Sequence, residues 1–223
     1  MYKRIGWENK SIMSNESKVI KRQVEGIRLS FGSILLVLAC TFLVILATFI
    51  QLDITHFIIP KGENLNLQDY IFTYKIVPQV PVVMFVGAFL GRKYGITSIL
   101  LYILLGLFII PVFALGGGPS YLLQYGFGYI LAYIPAVFFA GTILKSGFTL
   151  RNILHAVLVG VLTIHLIGTL YMLFLAGIHH EGWIFMKGWI CAQSGIKIIY
   201  DFILSFALVF LARYAKILLW FYM

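Results

Sequence analysis

Six stretches of the chain are apolar for long enough to cross a hydrocarbon layer, and the polar residues gather between them. A spanning helix needs about 20 mostly apolar residues, because each adds 1.5 Å of rise against a core about 30 Å thick. The stretches run roughly Phe31–Ile50, Val77–Leu90, Ile96–Leu115, Leu122–Leu144, Ile153–Gly177 and Trp189–Ala212. The second is short unless it begins before Pro78. Backbone groups in lipid must be bonded within their own segment, so the runs predict helices rather than open strands. With no internal repeat and no low-complexity segment, the pattern predicts an all-α membrane protein, a bundle of about six transmembrane helices. A basic segment over 1–29 precedes the membrane domain at 30–213, and a short tail at 214–223 follows it.

Composition agrees with a lipid environment. Of 223 residues 61% are hydrophobic and 11% charged, against about 45–50% and about 25% in a soluble domain. The net charge of +9 does not point to nucleic acid, because the cations form no basic face interleaved with stacking aromatics. They lie in short clusters between apolar runs. One set of connections holds Lys3, Arg4, Lys10, Lys18, Lys21, Arg22, Arg28, Arg92, Lys93, Lys145, Arg151, Arg213 and Lys216; the other holds Lys61, Lys75 and Lys187. Cytoplasmic loops carry the Lys/Arg excess, so the chain is expected to be a multi-pass protein of a bacterial cytoplasmic membrane, or its equivalent, with both termini in the cytoplasm. The leading segment is too long and polar for a secretory n-region and no small-residue cleavage site follows, so the first span is expected to be retained.

Several chemistries find no support. Cys40 and Cys191 lack Cys-x-x-Cys spacing and read as small apolar filler, with a disulfide between them an open alternative. His179, His180 and Glu181 are contiguous, so the two histidines do not share a helix face and no metal is predicted. There is no Walker A pattern, and hence no ATP hydrolysis by this chain alone. No catalytic constellation and no cofactor motif is visible.

The stretch Pro111-Val-Phe-Ala-Leu-Gly-Gly-Gly118 carries most information. Three successive glycines between two prolines oppose helix and permit positive φ and close approach of another group. Such a loop either turns the chain at the surface or offers bare N–H groups to an anionic or carbonyl oxygen. A second cluster, Tyr125-Gly-Phe-Gly-Tyr129, lies close enough to share the same mouth.

The run Gly106-Leu-Phe-Ile-Ile-Pro-Val-Phe-Ala-Leu-Gly-Gly-Gly118 resembles the Leu-Pro-Val-Phe-Ala-x-Gly-Gly-Gly pattern of the BioY family, the biotin-binding S-components of energy-coupling-factor (ECF) vitamin transporters. Gly128-Tyr-Ile-Leu-Ala-Tyr133 stands where that family has Gly-Tyr-Leu-(Ile/Leu)-Gly-Phe. Gly87-Ala-Phe-Leu-Gly-Arg-Lys-Tyr-Gly95 looks like its link between the second and third helices, and Leu162-Thr-Ile-His-Leu-Ile-Gly168 like the fifth helix of one branch. The resemblance covers roughly residues 76–212. The chain departs from the family where an Asp-x-x-Lys pair opens the last helix: Asp201 is present, but Leu204 stands at the lysine position. Lys197 lies one turn earlier on the same face.

Read without the family, Lys197 and Asp201 are either a mutual pair near an interface or residues facing a polar cavity, since ionisable groups are costly in a span. His165 is a hydrogen-bonded interior histidine or a ligand contact. Gln79, between Pro78 and Pro81, caps a helix or binds a ligand. The resemblance implies a pocket for biotin: Phe113, Tyr121 and Tyr129 as wall, Gly116, Gly117, Gly118 and Gly128 for backbone approach, Gln79 and Asp201 toward the ureido group, Lys197 toward the carboxylate, and His165 nearby. It also implies an ECF transmembrane coupling subunit and ATPase subunits as partners. A different small vitamin, or an intramembrane enzyme or scaffold acting on lipid-like substrates, remain the other expectations.

Overall fold

The computed structural model describes residues 30–57 and 71–222. The basic segment 1–29 and the loop cation Lys61 lie outside the described residues. The chain divides between Ile34 and Leu35 into two units. Of the first, residues 30–34 are described: they open helix α1, where Ser30 Oγ accepts the Ser33 N–H at 3.3 Å, an N-cap bond.

In order the elements are α1 (Phe31–Phe49), strands β1 (Leu52–Phe57) and β2 (Ile71–Ile76), α2 (Gln79–Phe108), a 3₁₀ turn at Pro119–Leu123, α3 (Phe127–Leu131), α4 (Tyr133–Ile143), a 3₁₀ turn at Leu144–Ser146, α5 (Leu150–Ile178), α6 (Trp183–Ser194) and α7 (Lys197–Tyr222). Among the described residues five helical stretches are long and apolar enough to cross a membrane: Phe31–Phe49, Gln79–Phe108, Phe127–Ser146, Leu150–Ile178 and Trp183–Leu218. The fold is a helical membrane bundle. Its outward faces are apolar: on α5, Leu154, Leu158, Leu162, Leu166, Leu170, Phe174 and Ile178 are all exposed at four-residue intervals. Each step of four advances about 40° round the helix, so these residues form a continuous apolar stripe winding along the outside of α5, well beyond the apolar patch a soluble protein tolerates.

The second and third apolar runs are joined in α2. Gly91 interrupts it with φ 73° and ψ −175°, a conformation open essentially to glycine alone. A straight helix would separate residues 79 and 102 by about 34 Å, yet Gln79 Nε2 donates to Tyr102 Oη at 2.7 Å. The chain therefore reverses at Gly91, and Gly95 lies against Gly87, whose Cα is 3.5 Å from where a Gly95 Cβ would be. Small residues continue this close packing: a Cβ on Gly87 would meet Val137 Cα at 3.2 Å, which brings α2 onto α4 as tightly as glycine interfaces in membranes allow. Met84 fills the space left by Gly160 of α5.

Four features depart from the sequence expectation. The polar stretch after the first span forms an antiparallel ribbon, with Leu52 paired to Ile76 and Asp53 to Lys75. Its β-branched and aromatic residues favour strand, and the opposite charges at 53 and 75 face each other across it. The third run leaves the helix at Phe108, because Pro111 disfavours helix in the residues before it. The fourth run breaks between α3 and α4, where Pro135 has no N–H to offer Leu131. The sixth begins at Trp183, stops at Gly195 (φ −76°, ψ −117°) and resumes at Lys197.

The reversal predicts a measurable asymmetry among glycines. Gly91→Ala should cost about 1–3 kcal/mol from backbone strain alone, although nothing crowds its Cβ. Gly177→Ala, in regular helix with open space around it, should be neutral or stabilise by roughly 0.5–1 kcal/mol. Thermal denaturation of the two variants in detergent checks this; equal effects would contradict the strained turn.

Candidate functional site

A cavity of about 320 Å³ opens between the N-terminal end of α2, the loop after it, α3, the start of α4, and the α6–α7 junction. That volume is at the lower end of small-molecule pockets. Its wall is aromatic, from Tyr121, Tyr129, Tyr133 and Trp189, with Val77, Val80, Leu115 and Ile130 beside them. Gln79, Gln193, Lys75 and Lys197 are its polar groups. Among the described residues two cations and no carboxylate line it.

Beneath Lys197 lies Asp201, fully buried. Lys197 Nζ donates to Asp201 Oδ2 at 2.6 Å across one turn of α7. His165 Nε2, from α5, meets the same oxygen at 3.1 Å, and its Nδ1 is 3.0 Å from Ser194 Oγ at the end of α6. Ser194 Oγ lies 2.8 Å from Tyr129 Oη and 3.2 Å from Thr169 Oγ1. A histidine carrying its proton on Nε2 donates to the carboxylate and accepts from the serine, which fits every partner in this chain. The relay joins α3, α5, α6 and α7 at the cavity floor. Asp201 Oδ1 has no partner among the described residues.

A second cluster fixes Gln79. Its Nε2 donates to Thr48 Oγ1 at 2.9 Å and to Tyr102 Oη at 2.7 Å, and its Oε1 accepts from Tyr133 Oη at 3.0 Å. Both amide protons are spent within the protein, which leaves one acceptor lone pair on Oε1 toward the cavity. Burial raises the Tyr121 phenol above its ordinary value, so this wall residue acts as a neutral hydroxyl.

The sequence-derived candidates fall into three groups. Gln79, Tyr121, Tyr129 and Lys197 line the cavity. His165 and Asp201 lie behind Lys197 in the relay. Phe113 and the glycines support the wall from outside. Phe113 is buried, 4.6 Å between ring centroids from Tyr121, in the space left by Gly106. Gly116, at φ 115°, pairs with Phe113 through both backbone hydrogen bonds, and Gly118, at φ 92°, donates to Gly106 O at 2.9 Å. Gly117 passes so near that a Cβ would stand 2.6 Å from Gly106 O and from Pro111 Cα. The glycine run thus ties the loop back onto α2 and sends Ala114 and Leu115 to the cavity. Gly128 makes room for Tyr171. The His179–Glu181 stretch builds a rim: Tyr125 Oη donates to Glu181 Oε1 at 2.9 Å, and the Tyr125 ring meets His179, Phe185 and Trp189.

Lys75, Tyr133, Trp189, Gln193 and Ser194 were not picked out from the sequence. Tyr133 follows Tyr129 by four residues, and Trp189, Gln193 and Lys197 repeat at the same interval, a one-face spacing that could have flagged them. Lys75 carried no such signal, because the ribbon that holds it was not foreseen.

The model of the BioY family matches residues 20–219. A protein of Lysinibacillus sphaericus named "Probable biotin transporter BioY" is 32% identical over 96 residues, which is 42% of this chain and 49% of that one. A protein of the same name from Pyrococcus horikoshii is 42% identical over 95 residues, 42% of this chain and 56% of that one. The matched stretches thus span about half the length of these relatives. The crystal structure of the S-component for biotin from an ECF-type ABC transporter superposes with a TM-score of 0.62 at 20% identity, covering 83% of this chain and 91% of that chain. At that identity the likeness concerns the fold.

The buried carboxylate makes a stability prediction. Lys197→Met removes the closest partner of a charge with no exposure and should destabilise by about 3 kcal/mol. Adding Asp201→Asn removes the stranded charge, and the double variant should recover most of the loss. Thermal denaturation of both in detergent checks it; a double variant no more stable than Lys197→Met would contradict the pairing.

Proposed function

The chain belongs to the BioY family, and from that premise we propose that it is the substrate-capture subunit for uptake of a small vitamin, biotin, across a cell membrane. The observation that carries the reading is the aromatic-walled cavity standing over the Lys197–Asp201 pair. Biotin offers an apolar bicycle, a ureido head and a carboxylate tail, and the cavity holds a counterpart for each. Tyr121, Tyr129, Tyr133 and Trp189 wall the bicycle. Trp189 Nε1 is buried with no acceptor among the described residues and donates to the ureido oxygen, while Gln79 Oε1 accepts from a ureido N–H. Lys197 keeps donors beyond the one given to Asp201 and takes the carboxylate, with Lys75 at the rim adding charge. Phe113, Gly116, Gly117, Gly118, Gly128, His165 and Asp201 hold these groups in place from behind.

The chain supplies no ATP-hydrolysing motif, so active uptake draws its energy from partners, an ECF transmembrane coupling subunit and ATPase subunits. The Lys/Arg asymmetry supports both termini in the cytoplasm, with 1–29 and 214–223 flanking the membrane domain and the cavity opening outward. The reversal at Gly91 folds one of the five long helical stretches of the described residues into two arms, which supports the reading of six membrane passes, an even number.

Two measurements test this reading. Titration of the purified chain with radiolabelled biotin should show saturable, reversible binding that unlabelled biotin displaces and other vitamins do not. Trp189→Phe keeps the ring and loses the N–H, and should weaken binding by up to about tenfold; Trp189→Ala loses both and should cost roughly 10- to 100-fold. Heat protection by another vitamin, with none by biotin, would move the ligand while leaving the capture role. For topology, Ser14→Cys and Asn64→Cys in a Cys191→Ser background should react with an impermeant maleimide from opposite faces. Reaction of both from one face would overturn the arrangement.

A further inference from the structure

A second cavity, of about 260 Å³, lies at the other end of the bundle, and cations ring it. Arg92 and Lys93 come from the Gly91 reversal, Lys145 from the turn after α4, and Lys216 from the end of α7. Among the described residues no carboxylate lines it. Of the described acidic residues, Asp201 lies about 22 Å away along α7 from Lys216, and Asp53 and Glu181 belong to the ribbon and to the rim of the first cavity.

Two of the cations rest on aromatic rings rather than on acids. The Arg92 guanidinium carbon is 5.4 Å from the Phe138 ring centroid, and Lys216 Nζ is 5.0 Å from that of Phe148. Ring contacts hold the side chains without neutralising them. Lys216 is half-buried, so part of this charge sits against a low-dielectric wall, and a concave wall lined by one sign of charge concentrates its field. A positive-inside bias requires cations somewhere on this side; it does not require them to converge on a cavity.

We propose that this cavity binds a net-anionic phosphate group, presented by a lipid headgroup. Lys197, at the first cavity, and Lys216, at the second, are separated along α7 by about 28 Å, close to the thickness of a hydrocarbon core. The second cavity therefore sits at headgroup depth. Phe138, beside Arg92, and its neighbour Phe139 are exposed on the outer face of α4 and offer a track for the acyl chains. The same cations would also accept a free phosphate, so the two sources are separated by experiment. The proposal does not rest on the identity of the vitamin.

The test uses the full chain in a neutral detergent, with phosphatidylglycerol, phosphatidylcholine and inorganic phosphate as separate additions at equal ionic strength. Binding is read by native mass spectrometry and by the shift in Tm. Phosphatidylglycerol should bind and raise Tm; phosphatidylcholine should do neither, and inorganic phosphate should bind more weakly and raise Tm less than phosphatidylglycerol does. Each cation near a membrane surface contributes about fivefold, so Lys145→Gln/Lys216→Gln should weaken phosphatidylglycerol roughly 30-fold. The charge-matched Arg151→Gln/Arg213→Gln, from the same side but outside the cavity, should weaken it far less. Lys145 is exposed, so Lys145→Gln alone keeps the fold and should cost about fivefold. Equal losses from the two double variants, or no loss from Lys145→Gln, would overturn the proposal. A Tm rise from inorganic phosphate matching that from phosphatidylglycerol would overturn the lipid source and assign the site to free phosphate.

Discussion

Asp201 is a carboxylate with no exposure in a bundle whose other contacts are mostly apolar, and the cavity end of the fold is organised around keeping that charge satisfied. An isolated buried charge costs several kcal/mol even after relaxation. Lys197 and His165 both aim at one of its oxygens, and each is thereby fixed. Lys197 is held at the cavity floor, and His165 is oriented so that its second nitrogen reaches Ser194. From there the hydrogen bonds run to Tyr129, a wall residue. One charge thus positions a cation and an aromatic on different helices, and it spans the Gly195 break between α6 and α7.

The Gly91 reversal plays the corresponding part at the other end. It lets the short helical stretch Gln79–Leu90 lie antiparallel to the rest of α2, which carries Gln79 to the cavity and leaves Arg92 and Lys93 at the opposite face. The two ends therefore differ in kind. One is aromatic and polar with an ion-paired cation at its floor; the other is a cluster of cations backed by rings. An asymmetry of this sort suits a protein that meets a small solute on one side and a charged surface on the other.

Much of this was legible in the sequence, because lipid enforces long apolar runs and a soluble fold has little use for an unbroken apolar run of about 20 residues. The Lys197–Asp201 spacing was legible for the same reason, since charges in a span are rare enough to stand out. The ribbon was not: its alternation is short, half polar and interrupted by residues 58–70, so it read as loop. The three glycines were visible, but their use was not. Only the folded chain shows that Gly117 passes within contact of Gly106 and Pro111 and that the run anchors a wall. Tyr133 and Trp189 were hidden among ordinary aromatics of a membrane protein, where nothing but position distinguishes a cavity wall from a lipid-facing ring.

The central claim is that Lys197, held by Asp201, receives the carboxylate of biotin. The most direct measurement is a cycle between protein and ligand: affinities of biotin and its uncharged methyl ester for the wild type and for Lys197→Met, the variant first shown to be folded. A charge-assisted bond contributes about 1.5–3 kcal/mol, so the wild type should prefer biotin by roughly 10- to 100-fold, and Lys197→Met, which leaves the Asp201 charge uncompensated, should lose that preference or reverse it. An undiminished preference for the acid in Lys197→Met would contradict the account and assign the carboxylate to another group.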